Sequence, residues 1–330
     1  MILPAVVMDQ STPFKRLGPV SRLREFITPV EDVHVLAHLG VARVDPRRWQ
    51  LRIDGMVERP LVLDLEELLR LPARELTAVF ECYGNPQKPE VAARSVANVV
   101  WRGVPLARLL ARAGPSPDAA VVCLEGMDSG TFAGVYCERY VKDIPLARAL
   151  DEDVLIAYAM NGAPLTAEHG FPVRAVVPGY FGTNSVKWLS RVTLSAGRPD
   201  GLFTTRLYNR RVDLLEGQLE PARELDVNAV IVWPADQDRL RLGRHLATGW
   251  AWSSSPIARV ELSTDGGASW HQTEVTPPAP TPTWQRFGFV WEAAVPGAYE
   301  LRARATDRRG RVQPGGGRNA VHGITVHVAE

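Results

Sequence analysis

Cys82 is the residue whose type and setting invite chemistry. It stands in Phe80-Glu-Cys82-Tyr-Gly-Asn85, after the β-prone run 76–79 and directly before the turn that Gly84-Asn85-Pro86 forces. A thiol at the end of a strand is presented to whatever lies above the loop. Two readings stand at this point: a soft thiolate donor to a metal, or a small buried hydrophobe. The chain has 3 cysteines, Cys82, Cys123 and Cys137, which cannot all pair internally. No Cys-x-x-Cys, Cys-x-x-Cys-His or Cys/His zinc spacing occurs, which argues against haem c and structural zinc.

Several elements must position that loop. With 330 residues, 45% hydrophobic and 23% charged, the composition is globular and the length suggests two domains. A formal net charge of +1 leaves no electrostatic footprint for nucleic acid. The opening apolar run, 2–8, is broken by Pro4 and lacks a basic segment before it, so neither a signal peptide nor a twin-arginine leader is visible. No stretch approaches the ~18 to 20 apolar residues of a membrane span. The chain as given reads as soluble and cytoplasmic; a leader removed before residue 1 would make it periplasmic.

Residues 51–57 alternate like a half-buried strand, and Leu65, Leu68 and Leu69 share one face of a short helix. The spacing predicts a second helix over 104–113, with Pro105 near its start and Gly114 ending it. Runs 120–124, 154–159, 173–177 and 186–194 read as strands. From about Leu225 the pattern is all-β, with strands over 227–233, 247–252, 257–263, 287–293, 299–305 and 323–328. Asp265-Gly266-Gly267 and Pro296-Gly297 supply turns between them. An α+β domain over 1–212 followed by an immunoglobulin-like β-sandwich over 213–330 is the expected architecture. The stiff loop 277–282 falls inside the sandwich.

Taken together, the motifs resemble the sulfite oxidase family of molybdopterin-dependent oxidoreductases. The resemblance rests on Phe80-Glu-Cys82-Tyr-Gly-Asn85, Trp101-Arg-Gly-Val-Pro-Leu106, Ala157-Tyr-Ala-Met-Asn-Gly-Ala-Pro-Leu165, His169-Gly-Phe-Pro-Val-Arg174 and Ser185-Val-Lys187-Trp188. In the second half, Gly249-Trp-Ala-Trp252, the segment from Val260 to Gly267 with Trp270, and Arg304-Ala-Thr-Asp307 resemble the family's C-terminal dimerisation domain. The order of these motifs along the chain is what makes the resemblance specific.

The resemblance implies that Cys82 is the protein thiolate on molybdenum, and that the pterin and its phosphate are held by His38, Asp128, His169, Arg174, Gly182, Ser185 and Lys187. Arg and Lys suit a phosphate as a planar fork and a point charge, and the Gly-rich turn 179–185 could add backbone N–H groups. Tyr208 stands where the family carries an active-site tyrosine, and Trp101 where it carries an aromatic of the substrate pocket. Alone, His38 reads equally as a core or surface histidine, and Trp101 as a core tryptophan. Cys123 and Cys137 read as buried structural thiols.

The resemblance further implies two-electron oxygen-atom transfer on a small-molecule substrate, a homodimer, and, with no haem motif, a separate electron-transfer partner. One departure bears on substrate. Gln87, Leu36 and Gly315 occupy places where sulfite-oxidising members carry arginines, and burying an anion without compensating charge costs several kcal/mol. A substrate less anionic than sulfite, such as a sulfoxide or N-oxide, is therefore expected. Arg94, Arg102, Arg206, Arg210 and Arg211 lie near the motifs, so a sulfite oxidase with a rearranged arginine pocket is a further reading. A non-catalytic binding module is another; it has no need of a metal thiolate.

Overall fold

The computed structural model describes residues 6–10, 13–86, 88–89, 91, 93–211 and 219–330. It divides into two compact units, one formed by Met1–Arg16, Val35–Leu76 and Val100–Arg223, the other by Leu17–His34, Thr77–Val99 and Glu224–Glu330. The stretch carrying Cys82 thus clusters with the C-terminal part of the chain. The expected cut at 212/213 falls among residues outside those described.

In the first unit a five-stranded sheet runs in the order Val141–Pro145, Val121–Gly126, Leu189–Ser195, Gln50–Gly55, Leu61–Asp64. Gln50–Gly55 buries Leu51 and Ile53, as strand alternation requires, and pairs parallel to Leu189–Ser195. At Asp64 the chain turns into the helix Leu65–Leu69. Asp64 Oδ1 accepts from the Glu67 N–H at 2.8 Å and Glu67 Oε2 from the Asp64 N–H at 2.9 Å, a capping box that starts so short a helix.

The second helix is Leu106–Ala113, with Leu106, Leu109, Leu110 and Ala113 buried and Gly114 at φ 70° closing it. It begins later than periodicity suggested, because Val104 and Pro105 are paired in a sheet with Ile156 and Leu155. The strand Leu155–Met160 also pairs with Ala163–Pro164 and Arg174–Val176. The strand expected from 186 starts only at Leu189, since Trp188 at φ 49° is outside β geometry.

The second unit holds the β-sandwich. One sheet orders Asn228–Trp233, Gly243–Trp252, Gln285–Ala293, Glu274–Val275; the other Arg239–Arg241, His322–Ala329, Gly297–Asp307, Ile257–Ser263, His271–Gln272. Inward residues of both, among them Val260, Leu262, Phe287, Leu301, Ala303 and Val326, form one core. No helix among the described residues is long and apolar enough to cross a membrane.

Candidate functional site

Two cations, buried Arg174 and half-buried Lys187, dominate the first unit's share of the expected site. His169 ends the short turn Ala167–His169, where Thr166 Oγ1 accepts from its N–H at 3.3 Å. Gly170 follows at φ 102°, and a Cβ there would stand 2.9 Å from Lys187 Cβ, so the chain can lie against Lys187 only with glycine. Arg174 is fully buried. Its guanidinium donates to the carbonyls of Ser185 at 2.8 Å, His169 at 3.1 Å and Ala175 at 3.3 Å, and lies 5.0 Å from the centroid of the buried Trp101 ring.

Ser185 supports this arrangement through its backbone, while its hydroxyl accepts from the Val177 N–H at 3.1 Å. Gly182 opens the turn Gly182–Asn184, which Asn184 ties down by donating to Phe181 O and Ala222 O. Lys187 Nζ donates to Glu168 O at 3.0 Å and lies 4.4 Å over the Trp188 ring. Burial pushes Arg174 down to about 9, and burial together with Arg174 pushes Lys187 well below the usual lysine range.

Asp128 is buried beside them. Burial raises its carboxyl above the usual range and Lys187 opposes the rise. Its Oδ1 has no hydrogen-bond partner among the described residues, and a Cβ on Gly126 would come within 2.5 Å of that atom.

His38 and Tyr208 form the third element. The Tyr208 hydroxyl is hydrogen-bonded to His38 Nε2, and Tyr208 adopts φ 58° after the single π-helical turn Leu202–Arg206. Around His38 stand Phe132, Tyr140 and Phe203, with ring centroids at 4.8, 5.8 and 5.3 Å. Burial first, and the charge of Lys187 second, lower His38 to about 4, so its imidazole is neutral near neutral pH.

Sequence reasoning missed Lys142 here. This fully buried lysine donates to Phe203 O at 2.7 Å and lies 5.4 Å over the Tyr208 ring. The charged pair Lys142-Asp143 between Val141 and Ile144 was the available signal.

Cys82 lies in the second unit, half-buried after the strand Arg74–Glu81. Its N–H donates to Ser95 O and its carbonyl accepts from the Asn85 N–H, both at 2.9 Å, which closes the predicted turn. The preceding Glu81, also missed, is a buried carboxylate raised to about 7 by burial.

Of the neighbouring arginines, Arg94 donates to the carbonyls of Pro89, Val91 and Ala93, while Arg102, Arg206 and Arg211 are exposed and Arg210 lies 5.3 Å over Phe181. Gln87 is outside the described residues, Leu36 is half-buried and Gly315 is exposed. Cys123 is buried, 3.7 Å from Ser195 Oγ. Cys137 is only half-buried, on a hairpin rather than in the core, because the strand Val135–Cys137 has a single short partner.

These residues fit a pterin phosphate. A buried Arg and a half-buried Lys suit a phosphate, and the Asp128 Oδ1 suits a ring N–H donor. Among the described residues there is no group of three or more His, Cys, Asp or Glu that could hold a metal ion.

Comparison with known proteins places the chain in a family. Residues 38–203 match the model of the oxidoreductase molybdopterin binding domain, and residues 220–328 that of the Mo-co oxidoreductase dimerisation domain. Mitochondrial sulfite oxidase of Rattus norvegicus is 32% identical over 94% of this chain, and the alignment spans 62% of that protein's length. An NADH nitrate reductase of Solanum lycopersicum is 30% identical over 92% of this chain and is spanned for 38% of its length. The crystal structure of the sulfane dehydrogenase SoxCD from Paracoccus pantotrophus superposes with a TM-score of 0.84 at 27% identity, covering 98% of this chain and 89% of that one. With two family models in order along the chain, and a relative 32% identical over 94% of it, the protein belongs to the sulfite oxidase family of molybdopterin-dependent oxidoreductases.

Proposed function

We propose that this chain catalyses a two-electron oxidoreduction at molybdopterin-bound molybdenum, on a small substrate that carries less negative charge than sulfite. The observation that carries the reading is the group of buried Arg174, half-buried Lys187 and buried Asp128, two cations near a carboxylate oxygen that has no hydrogen-bond partner among the described residues. When bound, the molybdenum–pterin group supplies oxygen-atom transfer; the chain supplies binding, orientation and proton control.

In this reading Cys82 binds the metal as thiolate. His169, Arg174, Gly182, Ser185 and Lys187 hold the pterin and its phosphate, and Asp128 accepts from the pterin ring. The neutral His38 keeps the Tyr208 phenol in place to give or take a proton from substrate, and Trp101 supports Arg174 from beneath its guanidinium. The substrate assignment follows the arginines near the motifs: Arg102, Arg206 and Arg211 face solvent, and Arg210 lies over the Phe181 ring. Sulfoxides and N-oxides fit such a site. Residues 220–328 mediate a homodimer, and electrons pass to or from a separate partner protein.

Sulfite, or sulfane sulfur, is the second reading, favoured by the 32% identity to sulfite oxidase and by the SoxCD superposition. Metal analysis of protein from a host that makes the cofactor, combined with a substrate panel, tests both. About one molybdenum per chain is expected from a single loop thiolate, and Cys82→Ser is expected to lose activity without losing its fold. Native protein without molybdenum would sink the proposal, and saturable turnover at micromolar sulfite with an artificial acceptor would replace the first substrate reading by the second.

A further inference from the structure

The turn that carries Cys82 is held by side chains that reach it from distant parts of the second unit. Glu81 is the hub. Its Oε1 accepts from Asn85 Nδ2 at 3.0 Å and from Asn228 Nδ2 at 3.3 Å, and its Oε2 accepts from Trp252 Nε1 at 2.8 Å. Asn85 in turn accepts the Ser95 N–H at 2.8 Å. Asn228 is oriented from behind by Gln313, which donates to its Oδ1 at 3.1 Å. Beyond the thiol, Arg318 donates to Tyr83 O at 3.3 Å and lies 4.8 Å over the Tyr83 ring, and the Asn319 N–H donates to Pro86 O at 3.0 Å.

Three donors meeting the two oxygens of one side chain set a chemical requirement. Both ends of the residue at 81 must accept, and a carboxylate is the side chain that does so; an amide of the same shape would turn its NH2 against either the Trp252 N–H or the two asparagine NH2 groups. Burying a charge to hold a turn is expensive, and three donors on its two oxygens offset that cost. Asn228 and Trp252 belong to neighbouring strands of the sandwich, paired with each other in register. The anchor is therefore a rigid sheet, and the thiol follows one residue after its attachment point.

We propose that Glu81 is a positioning residue that fixes the Cys82 thiol by locking its turn onto the β-sandwich. The inference rests on the reading of Cys82 as metal ligand only for its consequence; the lock itself is a property of the chain. It makes the C-terminal domain a support for the metal ligand.

Peptide-resolved alkylation of Cys82 by iodoacetamide, in full-length protein made without molybdenum, tests the lock. Each variant is measured at the same interval below its own thermal midpoint, so that a general loss of stability does not register. Glu81→Gln is expected to raise the alkylation rate about tenfold by letting the turn open locally. Adding Trp252→Phe removes the donor that the new amide opposes. The double variant should then alkylate within about threefold of Trp252→Phe alone, a rescue that simple structural damage does not produce. If Glu81→Gln does not fold, Asn228→Ala carries the test, with an expected rise of about threefold. Rates within about twofold of native in Glu81→Gln, or in Asn228→Ala where that variant is used, overturn the inference, and so does a double variant more than about threefold faster than Trp252→Phe alone. Because this arm needs no metal, its failure leaves the ligand reading intact, whereas native holoprotein without molybdenum sinks that reading and leaves the lock standing.

Discussion

Glu81 and Asp128 are both buried carboxyls that burial raises toward neutrality, yet they are built for opposite ends. Glu81 receives side-chain hydrogen bonds from Asn85, Asn228 and Trp252. Asp128 has a charged neighbour in Lys187 and an Oδ1 with no partner. A carboxyl whose acceptors are all used by the protein is framework, whereas one that keeps an acceptor open is a place for a ligand. The difference teaches that burial and a shifted pKa do not by themselves mark a binding residue; the count of satisfied acceptors does.

The largest expected effect tests whether burial, rather than partners, sets the charge states around Asp128. His38 is lowered to about 4 from an ordinary value of 6.5. A base whose folded pKa is depressed stabilises the fold fully above the unfolded value and loses that contribution as pH falls. Native protein should therefore lose about 3 kcal/mol more than His38→Gln between pH 6.5 and pH 4, read from urea midpoints. Parallel curves for the two proteins would show that His38 is solvated.

Next comes the direct contrast. Glu81→Gln should lower the unfolding free energy of cofactor-free protein by about 2 kcal/mol, because a buried donor is left facing a donor. Asp128→Asn should change it by less than about 1 kcal/mol, since no hydrogen bond at Oδ1 is lost. Equal losses in chemical denaturation would erase the distinction. In loaded protein the order reverses for Asp128, whose asparagine variant should retain cofactor about tenfold less tightly in a dilution assay. Cys137→Ser is the smallest expected change, within about 0.5 kcal/mol, as suits a half-buried hairpin position; a larger shift in thermal midpoint would reveal a role for that thiol.

Much of the architecture is legible along the chain because it follows local rules. Alternation in Gln50–Gly55 and in the sandwich strands, the Asp64 cap and the Gly114 stop are all written in consecutive residues. Element starts were misread where distant pairing overrides local preference, as at Val104-Pro105, or where one residue takes an unusual backbone conformation, as at Trp188. Lys142 and Glu81 escaped notice because a charged residue in an apolar run ordinarily signals a solvated face, and only the folded chain shows what meets it.

By itself, the amino-acid order determined the family, the α+β and sandwich composition, the loop thiol at Cys82 and the cations Arg174 and Lys187, because motifs and periodicities are properties of neighbours in sequence. The tertiary structure decided which buried charges are complete and which are open. It joined Glu81 to Asn228 and Trp252 across more than a hundred residues, placed His38 against Tyr208, and left Asp128 Oδ1 without a donor. Those outcomes depend on hydrogen-bond geometry and desolvation, which exist only once remote segments pack together.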